Sequence, residues 1–212
     1  MVSITPSDGG PHAGQPTTPG RVERRVLDAA LRCLARWGVA KTTLDDIARE
    51  ADVSRATVYR AFPGGKDTVL DAVVADELAR FGSELALRLA GADDLEALLV
   101  IGVTYASRTL TDHDALQYLL LHEPEQVLPH VSFGRYDQVL AAAAQLVAPH
   151  LARFVGDGLA ARTGEWVTRL VLSYTLAPSP FYDLTDEDDV RRFVRSYLLP
   201  GLTSPAPPAT QS

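Results

Sequence analysis

A chain of 212 residues with 46% hydrophobic and 22% charged residues is long enough to bury one large core, or a modest domain with a small satellite. Its longest apolar runs, LEALLVIGV and LAAAAQLVA, fall far short of the roughly 20 residues a membrane span needs, and no positively charged segment precedes them, so a soluble, cytoplasmic protein with no membrane partner is expected. A single cysteine, Cys33, excludes an internal disulfide framework or a thiolate metal cluster.

The formal net charge of −7 is unevenly spread. Residues 1–20 hold only Asp8; residues 21–66 hold ten Lys+Arg against six Asp+Glu, a net +4; residues 67–212 hold ten against twenty, a net −10. A mildly basic N-terminal module is thus joined to a strongly acidic one, the asymmetry expected if only the first approaches a polyanion. On charge alone, unequal solvated surfaces would give the same pattern.

The first 19 residues and the end from 201, both rich in Pro, Gly, Ser and Thr, lack the apolar spacing that offsets ordering entropy and are read as disordered tails. Everything between has helical period, which predicts an all-α protein of about nine helices. Val22, Val26, Ala29, Cys33, Leu34 and Trp37 mark one face of a first helix that stops at Gly38, a residue suited to the left-handed position. Leu44, Ile47, Ala48 and Ala51 mark a short second helix opened by Thr42 or Thr43, with Asp45 or Asp46 at capping-box spacing. After Asp52, Ser54 caps a third helix that runs to about Ala61. A fourth, from about Lys66 to Leu89, is long enough to bridge the two modules, and further helices follow at about 93–110, 114–121, 135–155, 160–177 and 187–198.

The second and third helices form a helix-turn-helix, whose second member can lie in the DNA major groove. At about 100° per residue, Val58 and Phe62 point inward, while Ala56, Thr57 and Arg60 face away with Tyr59 at the flank. No Asp or Glu occurs between Val53 and Lys66. Ala56 lets the backbone approach and can touch a thymine methyl, Thr57 can bond a base edge or phosphate, and the arginines can fork onto guanine or phosphate.

TTLDDIAREADVSRATVYRAF, residues 42–62, resembles the helix-turn-helix of the TetR family of bacterial transcriptional repressors, through Thr43, Ile47-Ala48, Ala51, Val53-Ser54, Thr57-Val58-Tyr59 and Phe62. The resemblance covers about residues 21–75. It implies a DNA-binding domain over 20–66, with the motif at about 43–62, and a helical effector-binding and dimerisation domain over 67–200. It implies that Thr43, Ser54 and Tyr59 contact phosphates, that Arg55, Ala56, Thr57 and Arg60 face bases or nearby phosphates, and that Lys66 anchors the backbone. Three positions depart from the pattern: Asp52 replaces a turn glycine, Ala61 replaces an aromatic or His, and FPGGKD is one residue longer than Phe-x-Ser-Lys-Glu.

By the same resemblance the last two long helices pair into a homodimer, with Trp166, Leu170, Tyr174, Phe193 and Tyr197 at the interface, and the dimer meets a palindromic double-stranded DNA operator. Tyr105, Arg108, Tyr118, His122, Tyr136 and Phe154 lie on helices that line the family's effector cavity. Aromatic rings with a few polar tips suit a small, largely apolar effector. For any single ring, core packing is the competing assignment. DLTDEDDV is read as an acidic first turn rather than a metal site.

No catalytic residue, metal or cofactor is expected. The chain carries no His-Glu-x-x-His, no phosphate loop ending in Gly-Lys-Ser/Thr and no Gly-x-Ser-x-Gly. The function expected is a ligand-responsive repressor released from its operator by the effector. An activator of the same family, a helical enzyme and a helical scaffold that ignores DNA are the alternatives.

Overall fold

The computed structural model describes residues 20–125 and 136–203, so the N-terminal tail and most of the C-terminal one lie outside it. All regular structure among the described residues is helical: α1 (Arg21–Lys41), α2 (Leu44–Glu50), α3 (Arg55–Ala61), α4 (Lys66–Ala90), α5 (Leu95–Thr111), α6 (Asp114–His122), α7 (Tyr136–Val155), α8 (Asp157–Leu176) and α9 (Glu187–Phe193). From α9 the chain continues through a π-helical turn, Val194–Leu198, into α10 (Leu199–Thr203). The helix therefore passes beyond the expected stop at 198. In the widened turn the Leu199 N–H reaches the Val194 carbonyl five residues back, a ladder that accommodates Pro200, which has no N–H to give.

Side chains of the expected type set the helix starts. Thr43 accepts from the Asp46 N–H, Ser54 from Thr57, Asp94 from Ala97 and Asp186 from Asp189, each meeting a donor that has no partner within its helix. DLTDEDDV thus opens α9 as an acidic first turn. Gly38 does not end α1. At φ 76° and ψ −177° it kinks the helix, which resumes as far as Lys41.

The apolar residues gather into two cores. The first unites Val26, Ala30, Ile47, Val58, Phe62 and Val69 from α1–α4 and also takes Ala115 from α6; Val22, expected on this face, is exposed. The second unites Leu89, Leu99, Val103, Leu151, Val190 and Val194. α4 serves both, with Val69 and Val73 in the first and Leu85 and Leu89 in the second. Between them its buried Asp76 carboxylate meets Arg24 of α1 at 2.5 Å and Arg80 at 3.2 Å. A buried charge needs such pairing, and this one ties α1 to the middle of α4.

α7 and α8 pack together tightly at Gly164, where a Cβ would stand 2.6 Å from Val147 Cγ2 and 3.3 Å from Ala144 Cα. Among the described residues no helix is long and apolar enough to cross a membrane.

Candidate functional site

The second and third helices present their polar residues to one side. Thr43 exchanges bonds with Asp46: the Asp46 carboxylate accepts from the Thr43 N–H at 3.1 Å and from its hydroxyl at 2.5 Å. These two bonds, the hydroxyl's first, with Arg49 adding to them, hold the Asp46 carboxyl below its usual range. A depressed folded pKa contributes stability that is present above the unfolded-state value, about 4, and lost as pH falls through the folded one. Amide-exchange protection at the start of α2 is therefore expected to decline as pH drops below about 4, and Thr43→Val to remove much of that decline.

The turn into α3 uses Asp52 at φ 52°, a left-handed conformation that Asp enters more readily than most residues. Arg25 of α1 donates to the Ala51 and Asp52 carbonyls at 2.6 and 2.9 Å, fixing the turn against the first helix. Ser54 then caps α3, and its hydroxyl also lies 2.8 Å from that of Thr57.

On α3, Val58 and Phe62 are buried in the first core. Arg55, Ala56 and Arg60 are exposed, Thr57 is half-buried and Tyr59 is 43% exposed. The Arg55 guanidinium stands 5.5 Å from the centre of the Tyr59 ring, 3.4 Å from its hydroxyl and 3.0 Å from the Asp45 carboxylate. Sequence reasoning counted no acid within α3 and missed Asp45, which arrives across the turn from α2 at a separation no helical repeat marks. An exposed pair of this kind is worth little, so a phosphate can displace it, while the guanidinium also rests against the Tyr59 ring.

Lys66 sits differently from its expected role. Its ammonium donates to the Val39 carbonyl near the kinked end of α1, and the residue is half-buried.

Of the six expected effector-cavity residues, the five whose side chains are described do not converge. Tyr118 and His122, with ring centres 4.5 Å apart, line an open cleft of about 1050 Å³ together with Arg32 and Arg36 of α1 and Thr175 and Leu176 at the end of α8. Tyr105 stacks on Phe81 under the Arg88 guanidinium. Arg108 donates to the Thr185 carbonyl outside the core, and Phe154 is half-buried beneath Arg153. Tyr136 opens α7, and its side chain lies outside the described residues. Two residues the sequence did not single out are Thr104 and Ser107, both buried on one face of α5, whose hydroxyls have no hydrogen-bond partner among the described residues.

Of the expected interface residues, Trp166 and Tyr197 are 45% and 56% exposed, and Leu170 is half-buried. Tyr174 and Phe193 meet edge to face at 5.7 Å. Phe193 is buried within its own chain, which makes it a core side chain here, and with Tyr182 and Tyr197 these rings line a hollow of about 420 Å³.

Comparison with known proteins meets this geometry at several points. Residues 26–73, which hold the inward faces of α1–α3 and the start of α4, match the family described as bacterial regulatory proteins, tetR family. An uncharacterized HTH-type transcriptional regulator of Mycobacterium bovis is 32% identical over 151 residues, 70% of this chain and 77% of the relative. The fold is similar to the fatty acid degradation regulator FadR of Bacillus halodurans, with a TM-score of 0.63 at 20% identity over 86% of this chain and 98% of that one. It is also similar to FadR of Bacillus subtilis in complex with stearoyl-CoA, with a TM-score of 0.60 at 16% identity over 82% and 97%. Motif, fold and relatives agree: the chain belongs to the TetR family of bacterial regulatory proteins.

Proposed function

We propose that this DNA-binding transcriptional regulator is a repressor, holding a palindromic operator as a homodimer and leaving it when a small, largely apolar effector binds. The outer face of α3 carries the reading. It offers two exposed arginines, a half-exposed tyrosine and small residues, with no acid of its own, on a helix whose other side is locked into the core. Arg55, Ala56, Thr57 and Arg60 would meet base edges and nearby phosphates, and Thr43, Ser54 and Tyr59 would bond phosphates from the two helix starts and the flank. Lys66 would act on DNA only through the turn it holds.

The division proposed is a DNA-binding domain over 20–66 and an effector and dimerisation domain over 67–200. Leu159 and Trp166, seven residues apart on α8, and Tyr197 beyond α9 are large apolar side chains left exposed. A self-complementary patch of this kind suits a two-fold interface, which would set two copies of α3 about one DNA turn apart. Support for an apolar effector comes from the stearoyl-CoA held by the Bacillus subtilis FadR, and the orphaned hydroxyls of Thr104 and Ser107 would meet a polar group on it. The cytoplasm, where operator DNA lies, is the location proposed.

Selection of bound fragments from the source genome, followed by footprinting, yields a duplex on which this is tested. Tyr59→Phe, which removes one phosphate bond, is expected to weaken binding to that duplex about fivefold with helicity retained. Arg55→Ala is expected to weaken it about tenfold and to relax sequence preference or lower the salt slope. Wild-type affinity in both variants at fixed salt would sink the assignment of this face to DNA.

A further inference from the structure

Glu123 follows the last residue of α6, where the helix dipole places negative charge and a carboxylate is electrostatically unwelcome. It is nonetheless 8% exposed and reaches 84 residues back along the sequence. Its carboxylate accepts from the Val39 N–H at 2.8 Å and from the Ala40 N–H at 3.2 Å. Those two donors follow the kink at Gly38, where the intrahelical ladder is interrupted, so they need an outside partner.

Gly38 makes the contact possible. At its φ of 76° a side chain is strained, and a Cβ there would overlap the Glu123 carboxylate and stand 2.9 Å from the Tyr118 ring. The other side of the same short segment is held by Lys66, whose ammonium takes the Val39 carbonyl, and by the buried Thr42 hydroxyl, which donates to the Gly38 carbonyl at 2.6 Å. Thr43, the cap of α2, comes next. Val39 and Ala40, near the end of α1, are thus gripped from the end of α6 and from α4 shortly before the helix-turn-helix begins, and the cleft lined by Tyr118 and His122 lies beside the grip.

We propose that Glu123 is a positioning residue that couples the C-terminal domain to the DNA-facing helices, through its bonds to Val39 and Ala40; this rests on the assignment of α2 and α3 to DNA. While the carboxylate holds the segment, α2 starts in a fixed place and the two helices meet DNA already ordered. A displacement of the end of α6 withdraws the acceptor, frees two backbone donors and loosens the start of α2. Movement in the C-terminal domain is thereby converted into lost operator affinity without any direct contact between Glu123 and DNA.

The test uses the full chain and the duplex recovered by genomic selection. Glu123→Ala is expected to speed amide exchange at Val39 and Ala40 by at least about tenfold and to weaken duplex binding roughly tenfold, with Glu123→Gln between it and wild type. Gly38→Ala is expected to weaken binding more in wild type than in the Glu123→Ala background, because the overlap with the carboxylate has gone. Faster exchange with duplex affinity within twofold of wild type would reduce Glu123 to a local cap and overturn the coupling. Unchanged exchange would show that the bonds are not held in solution and overturn it equally. If Arg55→Ala and Tyr59→Phe also bind as wild type, the DNA face itself is misassigned and the coupling falls with it; normal losses in those two beside an inert Glu123→Ala isolate the failure to the coupling.

Discussion

Raising monovalent salt from about 50 to 200 mM is expected to weaken operator binding by roughly three orders of magnitude. Each phosphate neutralised by Arg or Lys releases condensed counterions, so log affinity falls linearly with log salt at about 0.9 per contact. Arg55 and Arg60 on α3 and Lys41 at the end of α1 are among the exposed cations of α1–α3. With about three contacts per protomer and six per dimer, a fourfold rise in salt gives a loss near 10³. Residues 67–212, at net −10, repel the polyanion outside the basic face and keep non-specific affinity low. A titration of the selected duplex across that range, by fluorescence anisotropy, gives the slope directly. A flat plot would favour a helical scaffold indifferent to DNA, and a slope halved by Arg60→Ala alone would mean that fewer phosphates are engaged than the two-fold arrangement requires.

Gly164→Leu is expected to destabilise the protein by about 3 kcal/mol, near the upper end of the usual cost of overpacking. The position is helical, so a side chain there gains helix propensity of up to about 1 kcal/mol over glycine. Alanine should cost less than leucine but not be neutral, since its Cβ already meets Val147 Cγ2 at 2.6 Å and the Ala144 backbone at 3.3 Å. Leucine adds three more carbons to the same crowded spot. The Ala144 backbone, 3.3 Å from a Cβ at this site, cannot move without pushing α7 off α8, and that pair carries Leu151 and Val171 of the second core. Thermal unfolding should fall by about 6–12 °C for a chain of this size, with Gly164→Ala as the control. A leucine variant as stable as wild type would mean that α7 and α8 separate at little cost.

The parts of this molecule that a sequence discloses are those set by neighbours three or four residues away. Val58 and Phe62 could be turned inward, Ser54 made the cap of α3 and the cap of α2 narrowed to Thr42 or Thr43, because each rule involved operates within one turn of chain. Contacts that join distant segments follow no repeat. Asp76 meets Arg24 at a separation of 52 residues, and Glu123 meets Val39 at 84; nothing in the periodicity of α4 or α6 selects either acid. Arg55 and Asp45 are only ten residues apart, yet a turn intervenes and breaks the helical spacing. Lys66 could be recognised as a departure from the family pattern, but its inward bond depends on where the end of α1 lies. The aromatic residues gave least, since Tyr105, Tyr118 and Phe154 share helical positions and a residue class while packing against three different surroundings. Continuation of the last helix past Pro200 was hidden because it depends on a backbone ladder widened five residues earlier, not on the proline itself.

Ala115 of α6 completes the first core, and that single burial bears on how the protein can be recombined. The segment 20–66 is not a portable cassette. Cut out at its sequence boundary, it would leave α1 uncovered where α6 packs and would lose Val69 and Val73 of α4, which share the first core with Val26 and Ile47. A chimera that joins these recognition helices to another regulator's sensing domain has to import the matching surface of α6 as well, so specificity for DNA and the module that governs it are inherited as a pair.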